Sequence, residues 1–296
     1  MKRVGIIGLG DMGIGMSKNI LTAGFELTGF DLRAERLDML TTLGGKAAAN
    51  VEAVAQNADV VFVMVLNGQQ ALDVVASDTG LLKSLKPGST IVVSATIKPS
   101  EMRAVAAAIA ETGINVIDSP VSGGKSGAEN GTLTMMVSAK NDVYESHLDV
   151  LQAVGEKIFH VGEDAGIGQT VKASLQAFIG ASFAAIFESL VLGSKAGVSG
   201  EILYEVFGAS GVSSPLFRNC AKLILDREFV NTGSHIGTMY KDLGITMSLA
   251  KEMGVAMFTT SAAHELFQSG ISLFPEEDNW SCIKLLEQIA GTEVSW

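Results

Sequence analysis

The chain has few cysteines, few cationic side chains and no long uninterrupted apolar run. Its 296 residues include only two cysteines, Cys220 and Cys282, which stand far apart and form no CxxC or Cys/His group. This scarcity argues against a disulfide framework and a zinc site, and it is typical of a reducing cytosol. The 21 Lys and Arg residues are outnumbered by 32 Asp and Glu, which gives a net charge of −11. An acidic protein repels the phosphates of nucleic acid, so we expect no nucleic-acid partner.

The sequence also gives no reason to expect export, membrane insertion or metal binding. The first apolar run begins at Val4, so we expect no signal peptide. The longest uncharged stretches are broken by glycines, glutamines and a lysine, so we expect no membrane span and a cytoplasmic location. The histidines have neither ligand spacing nor an evident nucleophile partner, and we expect no metal site. They are His147, His160, His235 and His264.

The stretch around which the chain is organised lies between Arg3 and Arg33. An apolar run, Val4–Ile7, leads directly into the glycine motif GLGDMG at Gly8–Gly13, and a second apolar run, Leu27–Phe30, ends on an acidic residue. This pattern predicts a strand, a turn, a helix and a strand, the first half of a dinucleotide-binding βαβ unit. The first glycine suits a tight turn, the second lets pyrophosphate approach bare backbone, and the third permits close packing of helix on strand.

The acidic residue is Asp31, at the end of the second predicted strand. A carboxylate at this position can accept hydrogen bonds from an adenosine ribose. It repels a 2′-phosphate and suits the two free hydroxyls of NAD, so we predict NAD as the cofactor and NADP as the less favoured one. Arg33 is the complication, because its guanidinium could hold a phosphate. We interpret Arg33 as a solvated charge at the start of the next helix.

Strand-like and helical segments alternate from the glycine motif to Gly162; among them we expect helices at 47–56 and 142–154 and a strand at 134–138. The economical fold for such alternation is a mostly parallel sheet with helices on its faces. After Gly162 only helical periodicity remains, and Lys172 is the only charged residue of the segment Ala165–Phe187. We therefore predict an α/β protein in which a Rossmann-type, doubly wound domain (1–163) is joined by a long helix to an all-α domain for substrate binding and oligomerisation (164–296). Helices of the second domain are expected at 167–196, 200–208, 215–226, 237–253, 258–269 and 279–289.

Lys172 is the strongest candidate for chemistry. A lysine in a helix of Ala, Ile, Leu and Phe must either extend its ammonium to water or be buried. Burial lowers the pKa of a lysine, which permits proton transfer near neutral pH. The sequence leaves both alternatives open. Gln176 lies one turn later on the same helix face, where it could hold a substrate hydroxyl or carboxylate.

Further candidates follow predicted strands or lie on predicted helices. The loop Ser122–Gly124 offers a hydroxyl and successive backbone N–H groups, which suit a carboxylate, although an ordinary strand-to-helix turn has the same composition. Asn67 follows a buried strand at its carboxyl end, where an open α/β sheet binds its ligand. The pair Lys241-Asp242 could bring a second cation to the site, although charged pairs on helices are usually solvated.

These motifs resemble those of the β-hydroxyacid dehydrogenase family. Four motifs carry the resemblance in order, namely GLGDMG from Gly8, the segment Thr96–Pro99, DSPVSGG from Asp118 and GIGQTVK from Gly166, and KDLG from Lys241 gives further support. Together they span almost the whole chain. The resemblance implies an NAD-binding Rossmann domain followed by a helical domain, and hydride transfer between a small hydroxy acid and a nicotinamide.

The resemblance also implies roles for particular residues. Lys172 would be the general acid/base that takes the hydroxyl proton. The substrate would be held by Ser122, Gly123, Gly124, Gln176 and Lys241. The cofactor would be held by Gly8, Leu9, Gly10, Met12, Gly13, Asp31, Leu66, Asn67, Thr96 and Lys241.

Two positions depart from the pattern of the family. Many members have asparagine where this chain has Gln176, and many have serine where it has Ala95. Glutamine at this position resembles the L-threonate dehydrogenase members of the family. This resemblance favours a polyhydroxylated C3–C5 acid as substrate over 3-hydroxyisobutyrate. Other activities stay open, namely oxidation of 3-hydroxyisobutyrate, reduction of a tartronate or succinic semialdehyde, imine reduction, and dinucleotide binding without catalysis.

The apolar composition of the long helix also bears on partners. Its apolar residues are too extensive for one amphipathic face, so we expect the helix to lie between domains or between subunits. A homodimer or homotetramer is the corresponding expectation. The other expected partner is a small anionic hydroxy acid.

Overall fold

The computed structural model describes all 296 residues. They form two compact units, Met1–Lys172 and Ala173–Trp296, which we call the first and the second unit. The division falls inside one continuous helix of 29 residues, α9, at Ile167–Lys195. The domain boundary predicted from the sequence, after residue 163, lies just ahead of this helix.

The first unit consists of alternating strands and helices. Its strands are β1 Arg3–Ile7, β2 Glu26–Phe30, β3 Lys46–Ala47, β4 Val60–Val63, β5 Thr90–Val93, β6 Asn115–Asp118, β7 Val121–Ser122, β8 Leu133–Ser138 and β9 Gly155–Gly162. Its helices before α9 are α1 Asp11–Thr22, α2 Ala34–Thr42, α3 Val51–Gln56, α4 Gly68–Ala76, α5 Pro99–Ile109, α6 Gly124–Asn130, α7 Asn141–Ser146 and α8 Leu148–Val154, with a short 3₁₀ turn at Leu81–Lys83.

All nine strands form one sheet, in the order β3-β2-β1-β4-β5-β6-β8-β7, with β9 paired to β8. The pairs from β3 through to β6 are parallel, which confirms the predicted Rossmann-type sheet. Strand β8 is antiparallel to β6 and β7 and parallel to β9. The strand order reverses between β1 and β4, and such a switch point opens a crevice at the carboxyl ends of the strands.

Alternate residues of the central strands enter two separate cores, one on each face of the sheet. In β4, Val60 and Phe62 belong to one core, whereas Val61 and Val63 belong to the other. All four side chains are fully buried. A strand covered on both faces needs apolar residues at every position, and this explains why β4 appears in the sequence as an unbroken apolar run.

Three local features of the first unit differ from the sequence-based expectations. The segment after the Ser122–Gly124 loop forms the helix α6, which the glycine-rich sequence did not predict. The helix expected at 142–154 is divided at His147, whose backbone has φ −117° and ψ 6°. The helix expected from Ala47 begins only at Val51, because the side chain of Asn50 accepts a hydrogen bond from the backbone of Ala53 and caps it there.

The second unit is helical, as predicted. It contains the rest of α9 and the helices α10 Gly200–Ala209, α11 Pro215–Leu225, α12 Ile236–Met253, α13 Phe258–Leu273 and α14 Cys282–Ala290, with a 3₁₀ turn at Asn279–Ser281. Its core is rich in aromatic residues, including Phe183, Phe187, Phe267 and Trp280. Cys220 and Cys282 are free thiols buried in this core, and burial raises the pKa of the Cys282 thiol to about 12.

One helix, α9, is long and apolar enough to cross a membrane when only length and composition are considered. The core helix of a soluble protein meets the same two criteria. In this chain the side chains of Phe183, Phe187, Leu190 and Val191 on α9 belong to the aromatic core of the second unit. That packing accounts for the apolar character of the helix from Phe183 onward.

Candidate functional site

The glycine motif forms the turn between β1 and α1. Gly8 has a φ of +94°, and a Cβ atom there would lie 2.2 Å from the carbonyl oxygen of Met64. A Cβ atom on Gly13 would lie 2.0 Å from the carbonyl oxygen of Gly8. Neither position can accept a side chain without moving backbone, so both glycines are required by the close approach of helix and strands.

Gly10 is different, because its surroundings do not require glycine. A Cβ atom there would meet only the Arg33 guanidinium, at 3.9 Å. Gly10 is also the N-cap of α1, and no side chain caps that helix. The first N–H groups of a helix bind anions well, and the space beside Gly10 leaves them accessible. This arrangement fits the pyrophosphate of a dinucleotide.

Leu9 and Met12 contribute to the motif mainly by packing. The Leu9 side chain is fully buried in the core on one face of the sheet, and Met12 packs against the same core. The backbone N–H of Leu9 donates a hydrogen bond of 2.8 Å to Asp31 Oδ2. The glycine turn and the end of β2 are therefore held together by an acidic side chain that the sequence assigned to the ribose.

Asp31 also pairs with Arg33. Its Oδ1 accepts hydrogen bonds from the backbone N–H and the Nε of Arg33, at 2.9 and 3.2 Å. Partial burial would raise the pKa of Asp31, but the hydrogen bonds from Arg33 and Leu9 outweigh burial and lower the pKa below its usual value. Arg33 is half exposed, yet it is ion-paired and not merely solvated. The ribose end of the predicted site therefore carries a carboxylate and a guanidinium side by side.

Leu66, Asn67 and Thr96 follow the carboxyl ends of β4 and β5. Asn67 caps α4, since its Oδ1 accepts a hydrogen bond of 2.9 Å from the backbone of Gln70. The backbone N–H of Leu66 donates to Gln70 Oε1 at 3.0 Å, and the Leu66 side chain is exposed. Thr96 is half-buried in the segment between β5 and α5. All three residues stand at the edge of the sheet to which β1 brings the glycine turn.

The Ser122–Gly124 loop joins β7 to α6. Gly123 has a φ of +133° and forms the N-cap of α6, and Gly124 follows with a φ of +58°. Two successive residues of positive φ turn the backbone sharply, directly after Ser122 pairs with Thr134 of β8. The turn and the helix start together expose N–H groups of the kind that bind a carboxylate.

Lys172 lies in the second turn of α9 and is 6% exposed. Of the two alternatives for this lysine, burial is therefore the one realised. The N-terminus of α9 is held by Asp118 at the end of β6, whose Oδ2 accepts a hydrogen bond of 2.8 Å from the backbone N–H of Gly166. Burial raises the pKa of Asp118 to about 6, even though hydrogen bonds from Gly166, Gln169 and Gly168 oppose the rise.

In the second unit, Gln176 and Lys241 meet at one carboxylate. The Nε2 of Gln176 donates a hydrogen bond of 2.6 Å to Asp242 Oδ2. Lys241 Nζ lies 3.1 Å from Asp242 Oδ1, an ion pair without hydrogen-bond geometry. Gln176 and Asp242 are buried, whereas Lys241 is about one-third exposed. The structure thus joins two residues that the sequence assigned separately to the substrate.

Three polar residues were not assigned a role from the sequence. Asp118 appeared only as part of the DSPVSGG motif, Gln169 only as part of GIGQTVK, and Asp242 only as a neighbour of Lys241. Each is at most 3% exposed, and buried polar side chains are the ones that need partners. Their position in otherwise apolar surroundings was the available signal. The structure contains no group of three or more His, Cys, Asp or Glu side chains that could hold a metal ion.

Both units match known protein families. Residues 3–162 match the family described as the NAD binding domain of 6-phosphogluconate dehydrogenase. Residues 166–286 match the family described as NAD-binding of NADP-dependent 3-hydroxyisobutyrate dehydrogenase. The chain therefore contains NAD(P)-binding domains, as the glycine motif predicted.

Individual relatives match over nearly the full length. The 2-(hydroxymethyl)glutarate dehydrogenase of Eubacterium barkeri is 36% identical over 295 residues, which cover 99% of this chain and 97% of the relative. The L-threonate dehydrogenase of Cupriavidus necator is 33% identical over 289 residues, which cover 97% of each chain. The crystal structure of 3-hydroxyisobutyrate dehydrogenase from Salmonella typhimurium has a TM-score of 0.87 at 31% identity and covers 96% of this chain and 100% of that chain.

The pairing of Asp31 with Arg33 makes a prediction about nucleotide preference. In Asp31→Ala, NAD loses an acceptor for its ribose hydroxyls, while Arg33 is released to meet a 2′-phosphate. Because hydrogen bonds to charged groups contribute about 1.5–3 kcal/mol, we expect the ratio of the NADP to the NAD dissociation constant to fall by about tenfold or more. Isothermal titration calorimetry with each nucleotide measures this ratio. Asp38→Ala removes an equal charge from an exposed position of α2 and serves as the control. An unchanged ratio of dissociation constants in Asp31→Ala would show that Asp31 does not contact the ribose.

Proposed function

The chain belongs to the β-hydroxyacid dehydrogenase family, whose members oxidise CH–OH groups with a nicotinamide nucleotide, and from this premise we propose that its own substrate is a small β-hydroxy acid. We further propose L-threonate or a similar C3–C5 acid as the preferred substrate and NAD as the preferred cofactor. One observation carries the proposal above the others. Lys172 is buried near the start of α9, in the same unit as the glycine turn.

The names of the relatives support this substrate class. L-threonate, 3-hydroxyisobutyrate and 2-(hydroxymethyl)glutarate differ in length and in the number of hydroxyl and carboxyl groups, and each contains a carboxylate with a hydroxyl on the β-carbon. That shared fragment needs one site for the carboxylate and one group to accept the hydroxyl proton. The Ser122–Gly124 turn supplies the first, and Lys172 supplies the second.

The chain's own residues have distinct tasks in this reaction. A bound nicotinamide would supply the acceptor for the hydride that leaves the carbon carrying the hydroxyl group. The amino end of α1 holds the pyrophosphate, and Asp31 orients the ribose. The N–H groups at Gly123 and Gly124 hold the substrate carboxylate and so orient the hydroxyl. Lys172 Nζ, in its neutral form, takes the hydroxyl proton, which leaves the carbonyl of the oxo acid.

The nucleotide preference follows from the ribose end of the site. The Asp31 carboxylate stays ionised at neutral pH, because its hydrogen bonds lower its pKa. A 2′-phosphate placed beside it would be repelled, and the ion pair with Asp31 engages the Arg33 guanidinium that would otherwise attract the phosphate. These two effects act in the same direction and favour NAD.

A panel of substrates tests the proposed function. The purified protein is assayed with L-threonate, 3-hydroxyisobutyrate, 2-(hydroxymethyl)glutarate and L-serine, each with NAD and NADP, and with a cyclic imine and reduced nucleotide. Turnover is measured by the absorbance of the reduced nucleotide. We expect the highest kcat/KM for a β-hydroxy acid with NAD. Turnover confined to the imine would overturn the proposed substrate class, and so would the absence of turnover with every acid.

Substitution of the buried lysine tests the proposed proton acceptor. In Lys172→Ala we expect kcat to fall by about 10²- to 10⁴-fold, because a positioned general base contributes a factor of that size. The dissociation constant for NAD should change little, since the glycine turn and Asp31 are untouched. Lys140→Ala removes a lysine from an exposed position of the same unit and serves as the control, for which we expect the kcat of the wild type. A Lys172→Ala protein with wild-type kcat would eliminate Lys172 as the general base.

We also propose that the chain forms a homodimer or homotetramer in the cytoplasm. Several large apolar side chains of the second unit are more than half exposed in the single chain, including Phe178, Leu192, Val206, Phe258 and Ile289. Exposed apolar groups in such number are commonly covered by another subunit. No other partner is needed to account for them.

The proposed assembly has a simple test. Light scattering coupled to gel filtration at micromolar concentration should give a mass of at least twice the 30.9 kDa of one chain. Phe258→Glu, which places a charge at the most exposed of the five side chains named above, should lower the measured mass if that face is buried between subunits. A wild-type protein that elutes with the mass of one chain would refute the proposed oligomer.

A further inference from the structure

The Gln169 side chain connects three separate segments of the first unit. Its Oε1 accepts a hydrogen bond of 3.0 Å from the backbone N–H of Ile97. Its Nε2 donates to the carbonyl oxygen of Ala95 and to Asp118 Oδ1, each at 3.0 Å. Gln169 therefore binds the backbone on both sides of Thr96, and it does so from the first turn of α9. The side chain is 1% exposed, so water does not compete for these hydrogen bonds.

Asp118 completes the connection from the sheet. Its Oδ2 accepts hydrogen bonds from the backbone N–H groups of Gly166 and Gln169, at 2.8 and 3.3 Å. The carboxylate thus caps the N-terminus of α9, where it also meets the positive end of the helix dipole. Because its other oxygen accepts from the Gln169 side chain, one carboxylate fixes both the helix and the side chain that reaches towards Thr96.

The same helical turn lies directly against the strand ends. A Cβ atom on Gly168 would be 2.6 Å from the carbonyl oxygen of Met136 and 3.0 Å from that of Asp118. Lys172 is one turn further along this face of α9. Helical side chains lean towards the N-terminus and cover the preceding turn. Lys172 is therefore directed towards the turn that Asp118 and Gln169 hold in place.

We propose that Gln169, held by Asp118, is a positioning residue that fixes the Thr96 segment and the Lys172 turn of α9 in one relative geometry. The proposal rests on the proposed function for the roles of Thr96 and Lys172, but the linkage itself consists of the hydrogen bonds above. Thr96 follows β5, and the Gln169 side chain forms hydrogen bonds with the backbone on either side of it. Lys172 follows Gln169 by three residues on α9. A loss of this linkage displaces the nicotinamide end of the cofactor site from the proton acceptor.

The alternative is that the network only stabilises the fold. Buried polar networks are often retained for that reason, and breaking one lowers stability wherever it lies. The two roles predict different kinetics. A purely stabilising network changes the fraction of folded protein, whereas a positioning network changes kcat for each protein molecule that still binds nucleotide.

The variant Gln169→Glu separates the two roles. A glutamate retains the acceptor for Ile97, but it cannot donate to Ala95 and it brings a second carboxylate to Asp118. Gln152→Glu introduces the same charge at an exposed position of α8 and serves as the matched control. The binding of NADH, followed by its fluorescence, counts the competent sites, and kcat with L-threonate is expressed per NADH-binding site. We expect kcat per site to fall by about 10- to 100-fold, because a small misplacement of reacting groups costs that much, and the NADH dissociation constant to rise severalfold.

A double variant tests whether the loss belongs to the Asp118–Gln169 pair. In Asp118→Asn/Gln169→Glu, the asparagine Oδ1 can still accept from the backbone of α9, and its Nδ2 can donate to the new carboxylate. We expect kcat per site at least fivefold higher than in Gln169→Glu alone, although below wild type because Ala95 still lacks its donor. The double variant also restores the charge of the pair, so it remains informative if Gln169→Glu fails to fold.

Two results would overturn the proposal. The first is a Gln169→Glu variant or, only where that variant does not fold, a double variant, whose kcat per NADH-binding site stays within twofold of wild type while only its melting temperature falls. The second is a double variant that folds and shows no recovery over the single one. If wild-type protein oxidises none of the acids, the proposed function fails separately. The linkage is then judged by hydrogen exchange at the Ile97 amide, which should quicken in Gln169→Leu, where its acceptor is lost, and not in the control Gln152→Leu.

Discussion

Parallel strands place their carboxyl ends at one edge of a sheet, and this constraint decides which residues of the first unit can reach a ligand. β1, β4, β5 and β6 are adjacent and parallel. The glycine turn, Asn67, Thr96 and the Ser122–Gly124 loop all follow strands of this sheet, although they are far apart in the sequence. The two cores cover both faces of the sheet, so apolar packing holds the strand ends in place together with the backbone hydrogen bonds between strands.

That edge also holds a helix. Asp118 lies at the end of β6, and both of its carboxylate oxygens accept hydrogen bonds from the start of α9. A buried carboxylate needs such partners, since an unpaired one would cost several kcal/mol. The hydrogen bonds that satisfy Asp118 are therefore the same ones that hold the start of α9, the helix that carries Lys172.

The sequence predicted the features that depend on local pattern and missed those that depend on long-range contact. The glycine motif, the alternation of strands with helices and the helical second unit are encoded in neighbouring residues, and the structure agrees with each. The hydrogen bonds of Gln169 reach residues 51 to 74 positions away, which no periodicity reveals. The helix α6 was missed because its glycine-rich start indicates a loop, whereas Gly123 provides its N-cap. The strand β8 was expected from the sequence at 134–138, but its antiparallel direction was not, because a buried strand has the same apolar pattern in either direction.

In the buried pair of the second unit, one methylene group decides whether a side chain at 176 reaches Asp242. Gln176 reaches Asp242 at 2.6 Å, and both side chains are at most 5% exposed. Asparagine is shorter by one carbon, so in its place the carboxylate would lose this donor unless the helices moved. The choice of residue at 176 is therefore coupled to Asp242. In the proposed function, Gln176 Oε1 would be the atom to meet the substrate, because Nε2 donates to Asp242; an acceptor suits a hydroxyl group better than a carboxylate. The polyhydroxylated acid proposed as substrate would supply such a donor, whereas 3-hydroxyisobutyrate, with a methyl group in place of the extra hydroxyls, would not.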